Sequence, residues 1–260
     1  MTSLPRLNAL WVGGSLGRVE KTCLASALAV GHSVSLYTYH GVTNAPRGID
    51  ILDARDVLPE HRLIRYKGTG SFALGSNIFR YELMRRGLGC WIDADVYFLQ
   101  PLKFAADSHI FGWEDEQYIG SAVLHIPQNS PLLTDLLVFV SSNPVVPPWW
   151  TLNKRLRRRI VAMLGRAPKL EDLPWGTVGP RALTYYIKKN RLTAHAMDPD
   201  VFYPIHWSQA EDIFAPDAAV QSRFTSRTKT VHLWNARIEH RKDGEAAPSS
   251  FFAEICRDDV

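Results

Sequence analysis

The chain has 260 residues, 46% of them hydrophobic, which is enough for one large unit with a filled core, and its net charge of +4 is modest for that length. No run of eighteen apolar residues occurs, and the N-terminus lacks a basic region followed by an uninterrupted apolar segment. Neither a membrane span nor a signal peptide is therefore expected, and the chain reads as cytoplasmic. Cys23, Cys90 and Cys256 are odd in number and lack metal-ligand spacing, which points to thiols in a reducing compartment.

In chain order, residues 7–14 read as a strand running into a glycine turn, residues 19–30 as a helix and residues 32–39 as a second strand. A β-α-β opening of this kind builds a parallel sheet with its ligands beyond the carboxyl ends of the strands. The segment Trp11, Val12, Gly13, Gly14 thus enters a binding crevice. Gly13-Gly14-Ser15-Leu16-Gly17 misses the Gly-x-Gly-x-x-Gly spacing of a dinucleotide fingerprint. Residues 50–54 form a short strand, 59–70 a polar loop and 71–86 a helix. On that helix Ser76, Asn77 and Arg80 fall at i, i+1 and i+4, within one sector. Read from spacing alone, Arg80 is better taken as an ordinary surface arginine or a salt bridge to a neighbour.

Residues 91–99 form a continuous β-branched and aromatic run closed by Pro101, the pattern of a buried strand. Asp93 and Asp95 lie inside it. Ionised carboxylates in an apolar layer need neutralising partners, and residues two apart on a strand face the same way, so both can reach one cation. All-oxygen ligation suits Mg²⁺ or Mn²⁺. The competing reading is an Asp-rich turn or a solvated edge. Further on, residues 110–114 and 119–126 read as two short strands, and 131–140 as a helix broken at 143–148.

Residues 149–169 form a basic amphipathic helix. Leu152, Leu156, Ile160, Met163 and Leu164 share one face, Lys154, Arg155, Arg157, Arg158, Arg159 and Arg166 take the rest, and Trp149 and Trp150 open it. This pattern suits a peripheral contact with anionic lipid headgroups, and equally a helix that packs its leucines on the domain. Without a recognition motif beside the charge run, nucleic acid is not expected as a partner. Residues 174–180 form a turn, 181–189 a helix, 201–205 an extended segment and 230–235 a last strand, before a polar tail at 239–250.

Several of these stretches together resemble a known group. Ser76-Asn77-Ile78-Phe79-Arg80-Tyr81, then Gly87-Leu88-Gly89-Cys90-Trp91-Ile92-Asp93-Ala94-Asp95-Val96 and a Leu-Gln-Pro-Leu ending, resemble the glycosyltransferases with a DXD sugar-binding region. That group includes the family 32 mannosyl- and galactosyltransferases and the α-1,4-galactosyltransferase-like proteins. Trp11-Val12-Gly13, Val178-Gly179-Pro180, Phe202-Tyr203-Pro204 and His232-Leu233-Trp234 resemble further blocks of the same proteins.

The resemblance implies an α/β GT-A fold, a Rossmann-like mixed sheet with flanking helices, over residues 1–260 as a single domain with a basic insertion at about 147–170. It implies retaining, metal-dependent transfer of a hexose from a UDP- or GDP-sugar to a hydroxyl of a glycan or lipid-linked acceptor. By that likeness Asp93, Asp95 and His232 hold Mn²⁺ or Mg²⁺, and Asp93, Asp95 and Arg80 are catalytic. Trp11, Val12, Gly13, Ser76, Asn77, Arg80 and Asp93 bind the donor, and Trp175, Gly179 and Pro180 face the acceptor. The chain departs from the group where Asn77 replaces its Asp and where Leu88 splits its Gly-Gly pair. The alternatives are a catalytically silent nucleotide-sugar-binding protein and a toxin-like enzyme that glycosylates a protein. With the basic helix, the expected location extends to the inner face of the plasma membrane.

Overall fold

A computed structural model describes residues 4–167, 169–216 and 218–257. Its frame is a five-stranded sheet in the order β3-β2-β1-β4-β6, formed by Leu7–Trp11 (β1), Val34–Thr38 (β2), Asp50–Asp53 (β3), Cys90–Ile92 (β4) and Val123–Leu124 (β6). The first four strands are parallel and β6 is antiparallel to β4. Val96–Phe98 (β5) pairs antiparallel with Thr230–His232 (β7) in a separate ribbon. The helices are Arg18–Ala29 (α1), Ala73–Arg85 (α2), Pro131–Ser141 (α3), Leu152–Met163 (α4) and Ala182–Lys189 (α5). This mixed, mostly parallel sheet flanked by helices is consistent with the expected GT-A fold.

Every residue of β2 is buried, as a parallel strand covered on both faces should be, whereas all four residues of the edge strand β3 are exposed. One large apolar cluster joins α2, α3 and α5 to the sheet through Phe79, Trp91, Leu124, Leu136 and Leu183. A second lies beneath β1, β2 and β5, and a third seats the C-terminal segment through Val231, Leu233, Phe251 and Phe252. The turn from α2 into β4 depends on glycine: Gly89 has φ +115°, and a Cβ there would lie 2.5 Å from the Arg6 carbonyl oxygen. The Gly87-Leu88-Gly89 spacing thus serves a close chain crossing.

Two sequence expectations are corrected. Residues 91–99 are not one strand: β4 ends at Ile92, and β5 begins at Val96 in the other ribbon. The Asp93 carbonyl accepts the Val96 N–H at 3.2 Å, so Asp93-Ala94-Asp95 is a turn between two sheets, held by the Asp93 N–H donated to the Ala122 carbonyl at 2.8 Å. The apolar run had masked the change of partner strand.

The basic helix is also arranged differently from expectation. Its tryptophans face inward: Trp149 stacks against Phe139 and Tyr185, with ring centroids 5.2 and 5.3 Å away. Arg158 ties α4 to the body, donating through Nε to the Val145 carbonyl and through a terminal nitrogen to the Lys169 carbonyl at 3.0 Å. The apolar face points outward, with Leu152 74%, Leu156 54%, Ile160 45%, Met163 78% and Leu164 75% exposed, so the leucines do not pack on the domain. Pro168, within the 147–170 segment, lies outside the described residues.

Candidate active site

The turn after β4 brings its two carboxylates to the end of the parallel sheet, where the ribbon delivers a third group. His232 pairs with Val96 in the β5–β7 register, one position past Asp95. One potential ligand atom from each of Asp93, Asp95 and His232 lies within 4.8 Å of the other two. Two carboxylates and an imidazole form a donor set suited to Mn²⁺ or Mg²⁺. His232 Nδ1 is buried and has no hydrogen-bond partner among the described residues. An imidazole that faces Asp95 through Nε2 and has its other ring nitrogen unpartnered fits a metal-binding role.

Each of these groups is oriented by its surroundings. Asp93 Oδ1 accepts from Arg80 at 2.8 Å and from Trp91 Nε1 at 2.7 Å. Arg80, buried at 4% exposure, also donates to the Ser121 carbonyl at 2.9 Å and lies 4.7 Å from the Trp91 ring centroid. Here α2 presents the arginine as a buried clamp on Asp93, the salt-bridge reading and not the surface one. Asp95 Oδ2 accepts the Asn235 backbone N–H at 2.7 Å, while Oδ1 faces His232 Nε2 at 3.3 Å. Burial pushes the Asp95 carboxyl up, but the His232 charge, its hydrogen bond and the Asn235 N–H outweigh it and hold the carboxyl below its ordinary value. For His232 burial works downward, and the Asp95 charge reverses it, leaving the imidazole raised.

These groups line a pocket of about 1490 Å³. Its walls include Trp11, Val12, Ser76, Asn77, Arg80, Asp93, Asp95, Trp175, Pro180 and His232. Two residues named from sequence lie off the wall. Gly13 sits in the turn after β1, where a Cβ would lie 3.0 Å from Trp11 Nε1, and that indole closes the turn by donating to the Ser15 carbonyl at 2.9 Å. Gly179 is buried against Asn77: a Cβ there would lie 2.9 Å from Asn77 Oδ1. Asn77 turns its amide back to its own helix, donating to the Ala73 carbonyl at 2.7 Å, and Oδ1 has no partner among the described residues.

Asn235 and Glu20 escaped the sequence reading. The Asn235 side chain donates to Glu20 Oε1 at 2.7 Å, anchoring the segment after β7 to α1. Its contact with Asp95 is made by backbone, which leaves no residue-type signal; only its place just after His232-Leu233-Trp234 could have flagged it.

Residues 171–258 match the family model for the alpha 1,4-glycosyltransferase conserved region. The match covers the part of the chain that carries Trp175, Pro180, His232 and Asn235, while the Asp93-Ala94-Asp95 turn precedes it. Among solved structures the chain is similar to the PaToxG glycosyltransferase, at 12% identity over 72% of this chain and 69% of that one, with a TM-score of 0.47. No curated protein matches the sequence.

Proposed function

We propose that the protein is a retaining, metal-dependent hexosyltransferase, a single GT-A domain that moves a hexose from a UDP- or GDP-sugar to a hydroxyl of a glycan or glycolipid. The observation that carries this reading is the convergence of Asp93, Asp95 and His232 in one pocket wide enough for a nucleotide-sugar and part of an acceptor. A bound Mn²⁺ or Mg²⁺, held by those three side chains, would supply charge neutralisation for the diphosphate leaving group. Arg80 fixes Asp93 and keeps a buried positive charge on the donor side of the site. Ser76 and Asn77 on α2 lie beside it, and the turn carrying Trp11, Val12 and Gly13 supplies the nucleotide end of the pocket. Trp175, 59% exposed on the pocket wall, offers a flat apolar face to an acceptor sugar, with Pro180 beside it and Gly179 behind.

Among the described residues no helix is long and apolar enough to cross a membrane. The outward apolar stripe of α4, flanked by Lys154, Arg155, Arg157 and Arg159, supports a peripheral contact with an anionic bilayer at the inner face of the plasma membrane.

The deciding experiment is a screen of UDP- and GDP-hexoses with and without Mn²⁺, reading donor binding by calorimetry and released nucleotide by a coupled assay. Metal-dependent binding with turnover supports the transferase. Binding without turnover would leave a nucleotide-sugar-binding protein. Absence of any metal-dependent donor binding would overturn the reading.

A further inference from the structure

Glu114 lines the same pocket as Arg80, Asp93, Asp95 and His232. Its backbone is held at the base of a tight hairpin. Trp113 bridges Ile119 and donates to the Met197 carbonyl at 2.9 Å, and the Glu114 N–H donates to the Tyr118 carbonyl at 2.9 Å. The Asp115 carboxylate closes the loop by accepting the Gln117 and Tyr118 N–H groups, both at 2.7 Å. Opposite stands Gly120, where a Cβ would lie 3.0 Å from Glu114 Oε2 and 2.5 Å from Tyr203 Cζ. Only glycine leaves room there for both side chains.

The carboxyl so carefully placed takes part in no hydrogen bond or ion pair among the described residues, in contrast to Asp93 and Asp95 beside it. Burial pushes it up to about 7; His232 opposes this, and the Asp115 and Asp93 charges reinforce it. A half-buried acceptor group without a donor, facing a binding pocket, is completed by the ligand.

Chemistry narrows what that ligand group can be. Glu114 does not belong to the Asp93, Asp95, His232 cluster, so it stands off the metal position. A diphosphate offers only acceptors and negative charge, which a carboxylate repels. The hydroxyls of a hexose are neutral donors, and one carboxylate can accept two of them. We propose that Glu114 is a specificity-determining residue that accepts hydrogen bonds from hydroxyls of the transferred hexose, on the side of the pocket walled by Tyr203. The assignment rests on the nucleotide-sugar reading of the pocket and names the residue that reads the sugar.

The test separates the sugar from the rest of the donor. Dissociation constants are measured by calorimetry in Mn²⁺ for UDP and GDP and for their hexose conjugates, on the wild type, Glu114→Ala and Glu114→Gln. The expected result is an unchanged constant for the free nucleotide diphosphate, which also reports an intact fold. The nucleotide-hexose constant rises by about 10- to 100-fold in Glu114→Ala and by less in Glu114→Gln, which keeps one acceptor oxygen. Equal weakening of diphosphate and conjugate, or no weakening of either, overturns the assignment while leaving the donor pocket standing. A wild-type protein that binds no nucleotide-sugar overturns both.

Discussion

Arg80 and Asp93 meet at 2.8 Å, and the indole of Trp91, over which the guanidinium lies, donates to the same carboxylate oxygen at 2.7 Å. The arginine is buried while the aspartate is 29% exposed on its side chain, so the pair is a wall element whose carboxylate still faces the pocket. Arg80→Ala would strip a donor from both Asp93 and the Ser121 carbonyl. We expect a loss of about 2–4 kcal/mol in urea unfolding together with loss of donor binding. Arg80→Lys should recover part of the stability but less of the binding, because an ammonium cannot span both acceptors as a guanidinium fork does.

The metal site gives a second expectation. Asp95→Asn should lower Mn²⁺ affinity by about 100-fold, as read by the electron paramagnetic resonance signal of free Mn²⁺. The wild-type affinity should also climb with pH. Asp95 holds the His232 proton above its ordinary range, and metal must displace that proton. Below that raised value each pH unit should change apparent affinity by up to about tenfold. A flat profile between pH 5 and 8 would remove His232 from the ligand set.

Asn77→Asp restores the residue usual in the resembled group, and here it should destabilise. The side chain is only 6% exposed, and its amide donates to the Ala73 carbonyl at 2.7 Å, a bond that a carboxylate cannot make. A cost of about 1–3 kcal/mol in chemical denaturation is expected. A more stable variant would mean that Arg80 can reach the new charge.

His32 predicts an acid-sensitive fold away from the site. Its Nε2 accepts the Leu102 N–H at 2.9 Å, so Nδ1 carries the proton and faces the Pro5 carbonyl at 2.9 Å. Burial lowers this imidazole, with the Pro5 contact opposing. Above the unfolded value near 6.5 both states are neutral. Below it the unfolded chain binds a proton that the fold resists, so stability should fall on acidification by up to about 1.4 kcal/mol per pH unit. Comparing wild type with His32→Gln between pH 7.5 and 5 isolates that slope.

For α4 the measurement is flotation with liposomes. Binding should require anionic lipid, weaken at high salt and be lost in Leu156→Glu/Ile160→Glu, two positions already exposed, without a change in melting temperature. Flotation that persists in this double variant would remove the stripe from the contact.

Much of the fold was legible because its signals are local. The β-α-β opening and the helices at 73–85 and 131–141 follow hydrophobic period and breakers, and the structure places each close to the expected bounds. What was illegible is the choice of partner. Residues 91–99 are equally apolar on either side of Asp93, so nothing in the run announces that Val96 pairs with His232 and not with β1. The leucines of α4 show the same limit: periodicity gives a face, but where it points is set by Arg158 and by Trp149 packing on Phe139. In the site, Asp93 and Asp95 stood out by residue type and His232 only through the resemblance, while the Asn235 N–H acts through backbone that every residue possesses.

The β5–β7 ribbon puts completion of the site well after synthesis of its two aspartates. The two aspartates leave the ribosome well before Thr230–His232 is made, and Asp95 gains its imidazole neighbour and its Asn235 N–H only when that strand has zipped onto Val96–Phe98. A chain stalled or clipped ahead of that strand would keep Arg80 and both aspartates yet lack His232. Competence of the centre thereby reports that synthesis has passed His232 and that the ribbon has paired.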